Sequence, residues 1–176
     1  MSNRIPAYLL ILLSVSLFTY AVSLIWQRNK PVNFNFPAKS ESTNGQPVYP
    51  NALSIDSIGV VLPVKTANIT NGKWEDTRGS VAYWKDSVLP GSKGNSVFYG
   101  HNWSNVFGKL TRVRKGDLVQ IGLSDGSIKK FIVDSTYTVS ADETHILNPA
   151  EDTRVTIYSC TGFLDSKRFV VIAVPS

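Results

Sequence analysis

The chain has 176 residues, of which 43% are hydrophobic and 18% are charged, and its formal net charge at neutral pH is +5. This length predicts one domain of ordinary size with a real hydrophobic core. Residues 51–176 contain 14 Lys and Arg against 12 Asp and Glu, a net charge of only +2. Because the basic residues there form no stripe or known recognition motif, we expect no nucleic-acid binding.

An uncharged apolar segment, IPAYLLILLSVSLFTYAVSLIW, occupies residues 5–26. As a helix with about 1.5 Å of rise per residue, it would be long enough to cross the hydrocarbon layer of a membrane. A cleaved signal peptide is the alternative interpretation, with AVS at 21–23 as its cleavage site, but the apolar run continues to Trp26. We therefore predict an uncleaved membrane anchor over residues 1–26.

The next segment, residues 27–50, is rich in Asn, Ser and Pro and has no hydrophobic periodicity. That composition is typical of a semi-extended linker between a membrane and a domain. Basic residues flank the apolar segment on both sides, Arg4 before it and Arg28 and Lys30 after it. The charge distribution alone therefore leaves the orientation in the membrane open.

From residue 51 onward the chain consists of short β-patterned runs divided by Gly, Asn, Asp and Pro. The predicted strands are LSIDSIGVVLPV (53–64), GSVAYW (79–84), NSVFYGH (95–101), DLVQIGL (117–123), IKKFIVDSTYTV (128–139), RVTIYSC (154–160) and RFVVIAV (168–174). The Asp-Gly in SDGS (124–127) predicts a hairpin turn with positive φ angles, and SNVFGKL (104–110) a short helix at most. Seven or more such strands predict an all-β domain over residues 51–176, as a closed barrel or a sandwich.

The single cysteine, Cys160, ends one predicted strand, and Arg168 begins the next. If these strands pair as neighbours, the two side chains face each other at the same end of the sheet, whereas Lys167 lies on the opposite face. A guanidinium there would be a permanently charged donor to an oxyanion and would favour the thiolate. Taken alone, a single cysteine after an apolar run is also typical of a small buried side chain.

A cysteine nucleophile needs a base or ion-pair partner, and the chain has two histidines. His101 lies at a strand-to-loop junction, where a rigid scaffold can direct a side chain outward. His145 lies in a predicted loop. The set of His101, Cys160 and Arg168 therefore indicates nucleophilic catalysis, although each residue alone has a structural interpretation.

Five stretches of the chain carry a family resemblance. TIYSC (156–160) resembles the Thr-Leu-x-Thr-Cys signature of sortases, the membrane-anchored cysteine transpeptidases, with Ile157 and Ser159 in place of the usual leucine and threonine. Four further stretches resemble sortase segments in the same order, namely IDSIGVVLPV (55–64), PGSKGNSVFYGHN (90–102), FGKLTRVRKGDLVQI (107–121) and SCTGFLDSKRFVVIAV (159–174). The resemblance covers roughly residues 52–175.

The resemblance implies a closed eight-stranded sortase β-barrel that carries the active site on its rim. Cys160 would attack a Leu-Pro-x-Thr-Gly-like (LPxTG-like) sorting signal, His101 would act as general acid and base, and Arg168 would stabilise the substrate and the oxyanion. Ser159 and Thr161 would contact the substrate beside the nucleophile. The compact size and the TGF after the cysteine resemble housekeeping-like or class D/E sortases more than class B.

The resemblance also implies the partners and the location. We expect an acceptor amine from the cell wall or from a pilin subunit, and a single-pass protein of the cell membrane with its catalytic domain outside the cytoplasm. Some sortases use calcium, which stays an alternative, but we expect no cofactor, because the sequence shows no clear ligand cluster and the candidate acidic residues read as solvated loop charges (Asp142, Glu143, Glu151 and Asp152). The alternatives are a hydrolase of the same signals and a non-catalytic, membrane-tethered binding module, whereas an L,D-transpeptidase would need a His-Gly-Cys-like cluster that the sequence lacks.

Overall fold

The computed structural model describes residues 7–37, 47–70, 72–75 and 77–176. They form two compact units, the first ending at Pro31 and the second beginning at Val32. The first contains helix α1, Ala7–Asn29, within which Tyr8–Gln27 has a mean hydropathy of 2.2 and is long and apolar enough to span a membrane. From Ala7 onward the apolar segment forms one continuous helix, which ends three residues beyond the predicted boundary.

The described residues of the second unit contain ten strands. They are β1 (Pro50–Ile55), β2 (Val60–Ala67), β3 (Ile69–Thr70), β4 (Lys73–Trp74), β5 (Val81–Trp84), β6 (Gly94–Gly100), β7 (Leu118–Leu123), β8 (Ile128–Ser140), β9 (Thr153–Thr161) and β10 (Lys167–Pro175). Eight of them close into a barrel in the order β1-β2-β5-β6-β9-β10-β8-β7, with β7 paired to β1. The strands β2 with β5 and β6 with β9 are parallel, and the other barrel pairs are antiparallel. The closed eight-stranded barrel is confirmed.

The barrel interior is filled by the alternate apolar residues of its strands. Phe98 of β6, Ile157 of β9 and Val171 of β10 are direct cross-strand neighbours, and each is fully buried. Because successive strand residues point to opposite faces, the residues between them point outward. Tyr99, Tyr158 and Val170 accordingly belong to a second buried cluster outside the barrel.

The strands differ from the prediction at two places. The run at 53–64 is not one strand, because a 3₁₀ turn at Asp56–Ile58 and a left-handed Gly59 (φ 66°) divide it into β1 and β2. The short antiparallel hairpin of β3 and β4 was not predicted, since two-residue strands carry no readable periodicity.

The predicted turn and helix also differ from the structure in detail. The SDGS segment does join β7 to β8, but of its residues only Gly126 has a positive φ angle (78°), while Asp125 accepts hydrogen bonds from Ser127. The segment 104–109 consists of turns, and a 3₁₀ turn follows at Leu110–Arg112.

Part of the predicted linker lies outside the described residues, namely 38–46. Residues 31–37 and 47–49 have no regular secondary structure. Val32 packs against the barrel core, so this part of the predicted linker contacts the domain.

The end of β6 is tightly packed at its last residue, Gly100. A Cβ atom there would lie 2.4 Å from Cδ2 of Phe107, which is itself buried. We expect Gly100→Ala to lower the free energy of unfolding by about 1–3 kcal/mol through this overlap. Thermal or denaturant unfolding of the full chain in detergent micelles measures the loss.

The smaller side chain of Phe107→Leu provides the control. In the Phe107→Leu variant, Gly100→Ala should lower the free energy of unfolding by less than it does in the native protein, because the opposing ring is gone. An equal loss of unfolding free energy in the native protein and in Phe107→Leu would show that the Phe107 ring does not exclude the methyl group.

Candidate active site

The parallel pairing of β6 with β9 brings the ends of these two strands to the same edge of the barrel. Gly100 lies opposite Ser159, so the residues that follow them, His101 and Cys160, emerge at the same level. Parallel neighbours end at the same side of a sheet, although they are far apart in sequence. This pairing places the candidate base beside the candidate nucleophile.

The antiparallel pairing of β9 with β10 adds the cation. Arg168 is the direct cross-strand partner of Cys160, so the two side chains are on the same face. The Arg168 guanidinium donates through Nη1 to the backbone carbonyl oxygens of Asp165 at 2.8 Å and Lys167 at 2.9 Å. The Lys167 side chain is exposed, as period two predicts for the opposite face. The predicted juxtaposition of Cys160 and Arg168 is confirmed.

The loop between β9 and β10 holds this arrangement through an unusual backbone. Leu164 (φ 51°) and Asp165 (φ 59°) both adopt the left-handed conformation that non-glycine residues rarely take. Asp165 makes two contacts from this position, since its carbonyl oxygen accepts from Arg168 and its Oδ1 accepts from Nδ2 of Asn102 at 2.9 Å. The loop therefore connects the cation to the residue that follows His101.

Cys160 opens into a cleft of about 360 Å³. One wall comes from the β3–β4 hairpin, the other from the segment at 141–147 between β8 and β9, and the floor from β6, β9 and β10. The lining residues are Ile69, Gly72, Trp74, Tyr99, Ala141, Glu143, Thr144, Ile146, Leu147, Tyr158, Cys160 and Arg168. The cleft thus combines a mostly apolar lining with one thiol, one guanidinium and the carboxylate of Glu143, a composition typical of a ligand site.

Three aromatic rings form the cleft next to the thiol. Trp74 stacks on Tyr99 with ring centroids 5.4 Å apart, and its Nε1 donates to the hydroxyl of Tyr158 at 2.7 Å. Burial raises the pKa of Tyr158 to about 12, although the hydrogen bond from Trp74 opposes the change. Burial and then the hydrogen bond to Cys160 raise the pKa of Tyr99 further, so both phenols keep their protons at neutral pH.

The surroundings of His101 are also aromatic. Its ring stacks on Trp103 with centroids 4.4 Å apart and meets the ring of Tyr99 edge-on at 5.5 Å. The Tyr99 hydroxyl lies 3.4 Å from Nδ1 of His101 and 3.6 Å from Sγ of Cys160. The imidazole is therefore held on a rigid surface close to the thiol, and a tyrosine hydroxyl contacts both groups.

The two residues predicted to contact substrate lie on either side of Cys160 in β9. Ser159 is 2% exposed and lies on the same side of the strand as Ile157 in the barrel interior, so it is turned away from the cleft. Its Oγ has no hydrogen-bond partner among the described residues. Thr161, the last residue of β9, is partly exposed but does not line the cleft. Substrate contact by either residue stays a prediction.

Three of the four acidic residues considered for calcium, Glu143, Glu151 and Asp152, lie in surface ion pairs. Glu143 bonds to His145 at 2.6 Å, Asp152 to Arg154 at 2.6 Å, and Glu151 lies 3.6 Å from Lys93. Within the described ranges, no three His, Cys, Asp or Glu side chains gather as a metal site would require.

Sequence reasoning missed the aromatic part of the site. Tyr99 lies two residues before His101, and period two would have placed it on the outward face of β6, as it would have placed Tyr158 beside Cys160 on β9. The sequence pattern alone identifies both only as strand residues. Trp74 had no such signal, because its hairpin is too short to show a pattern.

Comparisons with known proteins agree with this geometry. The family model of the Sortase domain matches residues 53–176. Sortase A of Listeria monocytogenes is 28% identical over 168 residues, covering 87% of this chain and 73% of the relative.

Two solved structures share the fold. The crystal structure of Listeria monocytogenes sortase A has a TM-score of 0.58 at 24% identity, covering 72% of this chain and 86% of that one. The Clostridium perfringens sortase D5 transpeptidase has a TM-score of 0.62 at 22% identity, covering 77% of this chain and 82% of that one. The matched domain contains the whole cleft and the thiol, and the chain belongs to the sortase family of cysteine transpeptidases.

Proposed function

We propose that this protein cleaves an LPxTG-like sorting signal through a thioester on Cys160 and transfers the signal-bearing protein to an amine. The amine would belong to the cell envelope or to a pilin subunit. The observation that carries the proposal is the direct pairing of Cys160 with Arg168, beside His101, on the floor of an apolar cleft. A non-catalytic binding module would have no need for a nucleophile, a base and an oxyanion donor together.

The first half-reaction forms the thioester. The Cys160 thiolate attacks the threonyl carbonyl carbon, and the carbonyl oxygen becomes an oxyanion that Arg168 stabilises. His101, as imidazolium, gives a proton to the nitrogen of the departing glycine as the peptide bond breaks. The products are a thioester on Cys160, a neutral imidazole and a free amine.

The second half-reaction reverses this chemistry with a new nucleophile. The acceptor amine attacks the thioester carbonyl while His101 takes one of its protons, and the tetrahedral intermediate again places its oxyanion at Arg168. The carbon–sulfur bond then breaks and regenerates the thiolate. A new amide is formed without net oxidation or hydrolysis.

The apolar lining of the cleft supports a peptide substrate. The β3–β4 hairpin and the segment at 141–147 stand on opposite sides of Cys160, so an extended peptide between them would present its carbonyl carbon to the sulfur. The helix α1 would anchor the enzyme in the cell membrane, with the barrel outside the cytoplasm, where signal-bearing proteins emerge.

The direct test mixes the full chain in detergent micelles with LPxTG-like peptides and an amine such as triglycine. Intact-mass spectrometry should show a peptide adduct on the protein, and product analysis should show the amine-linked peptide. An adduct that resolves only to hydrolysed peptide would favour the hydrolase, and no adduct with any peptide of the set would contradict the proposal.

Replacing the nucleophile should abolish the adduct. Cys160→Ala removes the only thiol in the chain, so we expect no mass increase with any peptide while the melting temperature stays close to that of the native protein. A peptide adduct that persists in Cys160→Ala would place the nucleophile elsewhere.

Replacing the guanidinium should slow both half-reactions. Lysine keeps the charge of Arg168 but not its planar fork, so we expect Arg168→Lys to lower kcat/KM by about 10²–10³-fold, the range for losing an oxyanion donor. Steady-state transfer of a fluorescent peptide to triglycine measures the change.

The adjacent exposed cation provides the matched control. Lys167→Gln should retain kcat/KM close to that of the native protein, because its side chain lies on the opposite strand face. Near-native turnover in Arg168→Lys would refute the oxyanion role.

A further inference from the structure

We propose that the hydroxyl of Tyr99 is a catalytic group that bridges His101 and Cys160 and stabilises them as an imidazolium–thiolate pair. The hydroxyl oxygen lies 3.4 Å from Nδ1 of His101 and 3.6 Å from Sγ of Cys160. A hydroxyl has one donor and two acceptor positions, so it can accept from Nδ1–H and donate to the sulfur at the same time. This inference rests on the roles proposed above for His101 and Cys160.

The position of this hydroxyl is set by rigid packing on every side of the Tyr99 ring. Tyr99 lies in register between Ala82 of β5 and Tyr158 of β9, and only 8% of it is exposed. Its ring contacts the rings of Trp74 at 5.4 Å and Tyr158 at 5.3 Å. A donor that is already held in place needs no reorganisation when negative charge develops on the sulfur, and this makes its stabilisation effective.

The protonation state of Tyr99 suits the donor role. Its burial, its hydrogen bond to Cys160 and the negative charge of the Cys160 thiolate all raise the pKa of Tyr99, whereas the positive charge of Arg168 opposes the change. Tyr99 therefore keeps its own proton across the neutral range. When the thiolate forms, the S–H bond breaks and the proton is carried by His101 as an N–H bond, and Tyr99 ends the step unchanged.

Other charged and titratable groups also face the thiol. Arg168 comes from β10, Tyr158 from the same strand as Cys160, and Glu143 from the opposite wall of the cleft. The β3–β4 hairpin contributes Trp74, which is uncharged and donates to Tyr158. Since these groups remain when only the Tyr99 oxygen is removed, Tyr99→Phe isolates the effect of this hydroxyl and its two hydrogen bonds.

The reactivity of the single cysteine gives a readout that needs no peptide substrate. Iodoacetamide labels the thiolate, and because the chain has one cysteine, intact mass reports Cys160 alone. In Tyr99→Phe the thiolate loses a donor, so a higher pH is needed to form it. We expect the midpoint of the rate–pH profile to rise by about one pH unit, with labelling about tenfold slower on the acidic side of the midpoint.

Tyr83 provides a matched control. It is also a buried strand tyrosine, 6% exposed, but its hydroxyl donates to the carbonyl oxygen of Ser87, away from the cleft. Tyr83→Phe should keep the native labelling profile. An unchanged profile in Tyr99→Phe, or an equal shift in Tyr83→Phe, would overturn the bridging role.

A peptide assay on the same variants separates this inference from the proposed function. If the native protein forms a peptide adduct but the labelling profile of Tyr99→Phe is not shifted, the proposed function is supported and the bridging role of Tyr99 is refuted. A shifted profile together with no peptide adduct in the native protein would keep the bridge and refute the proposed cleavage of LPxTG-like signals. Melting temperatures close to the native value in both variants exclude a loss of fold.

Discussion

The register of three adjacent strands, β6, β9 and β10, is the constraint on which the site depends. Phe98, Ile157 and Val171 form a row of cross-strand neighbours inside the barrel, all fully buried. A slip of one residue in any pair would turn these side chains out of the core, at a cost of several buried apolar groups. The same register brings Arg168 opposite Cys160 and the end of β6 beside them. Core packing thus positions the reactive groups.

A second apolar layer, outside the barrel, forms the cleft around the reactive groups. Tyr99, Tyr158 and Val170 point outward from the same three strands, where the hairpin residue Trp74 and Ile146 of the opposite segment pack against them. A barrel needs its interior filled but can leave its outer face to solvent. Here the outer face is apolar and covered on two sides, so the thiol lies between two walls rather than on an open rim. The surrounding rings lower the local polarity, and hydrogen bonds to charge are stronger there than in water.

Strand alternation made most of the strands and the pairing of Cys160 with Arg168 predictable from sequence. Only seven residues separate Cys160 from Arg168, so few arrangements other than neighbouring strands are open to them. The division of 53–64 was not predictable from apolar content, since Ile55 before the turn and Ile58 within it are both buried. The aromatic part of the site was not predictable from sequence for a different reason. A tyrosine in a buried strand is typical of core packing, and its contact with the thiol depends on tertiary distances that one sequence does not contain. Closure into a barrel instead of a sandwich came from the family resemblance, as the strand pattern is compatible with both.

The central claim is that cross-strand pairing makes Arg168 the oxyanion partner of a carbonyl bound to Cys160. A crystal structure of the protein with an LPxT-like peptide aldehyde, whose threonyl carbonyl carbon is bonded to the Cys160 sulfur as a hemithioacetal, tests this most directly. We expect the hemithioacetal oxygen to lie within about 3 Å of the Arg168 guanidinium, with the peptide between the β3–β4 hairpin and the segment at 141–147. A peptide that leaves the cleft empty, or an attached group directed away from Arg168, would contradict the account.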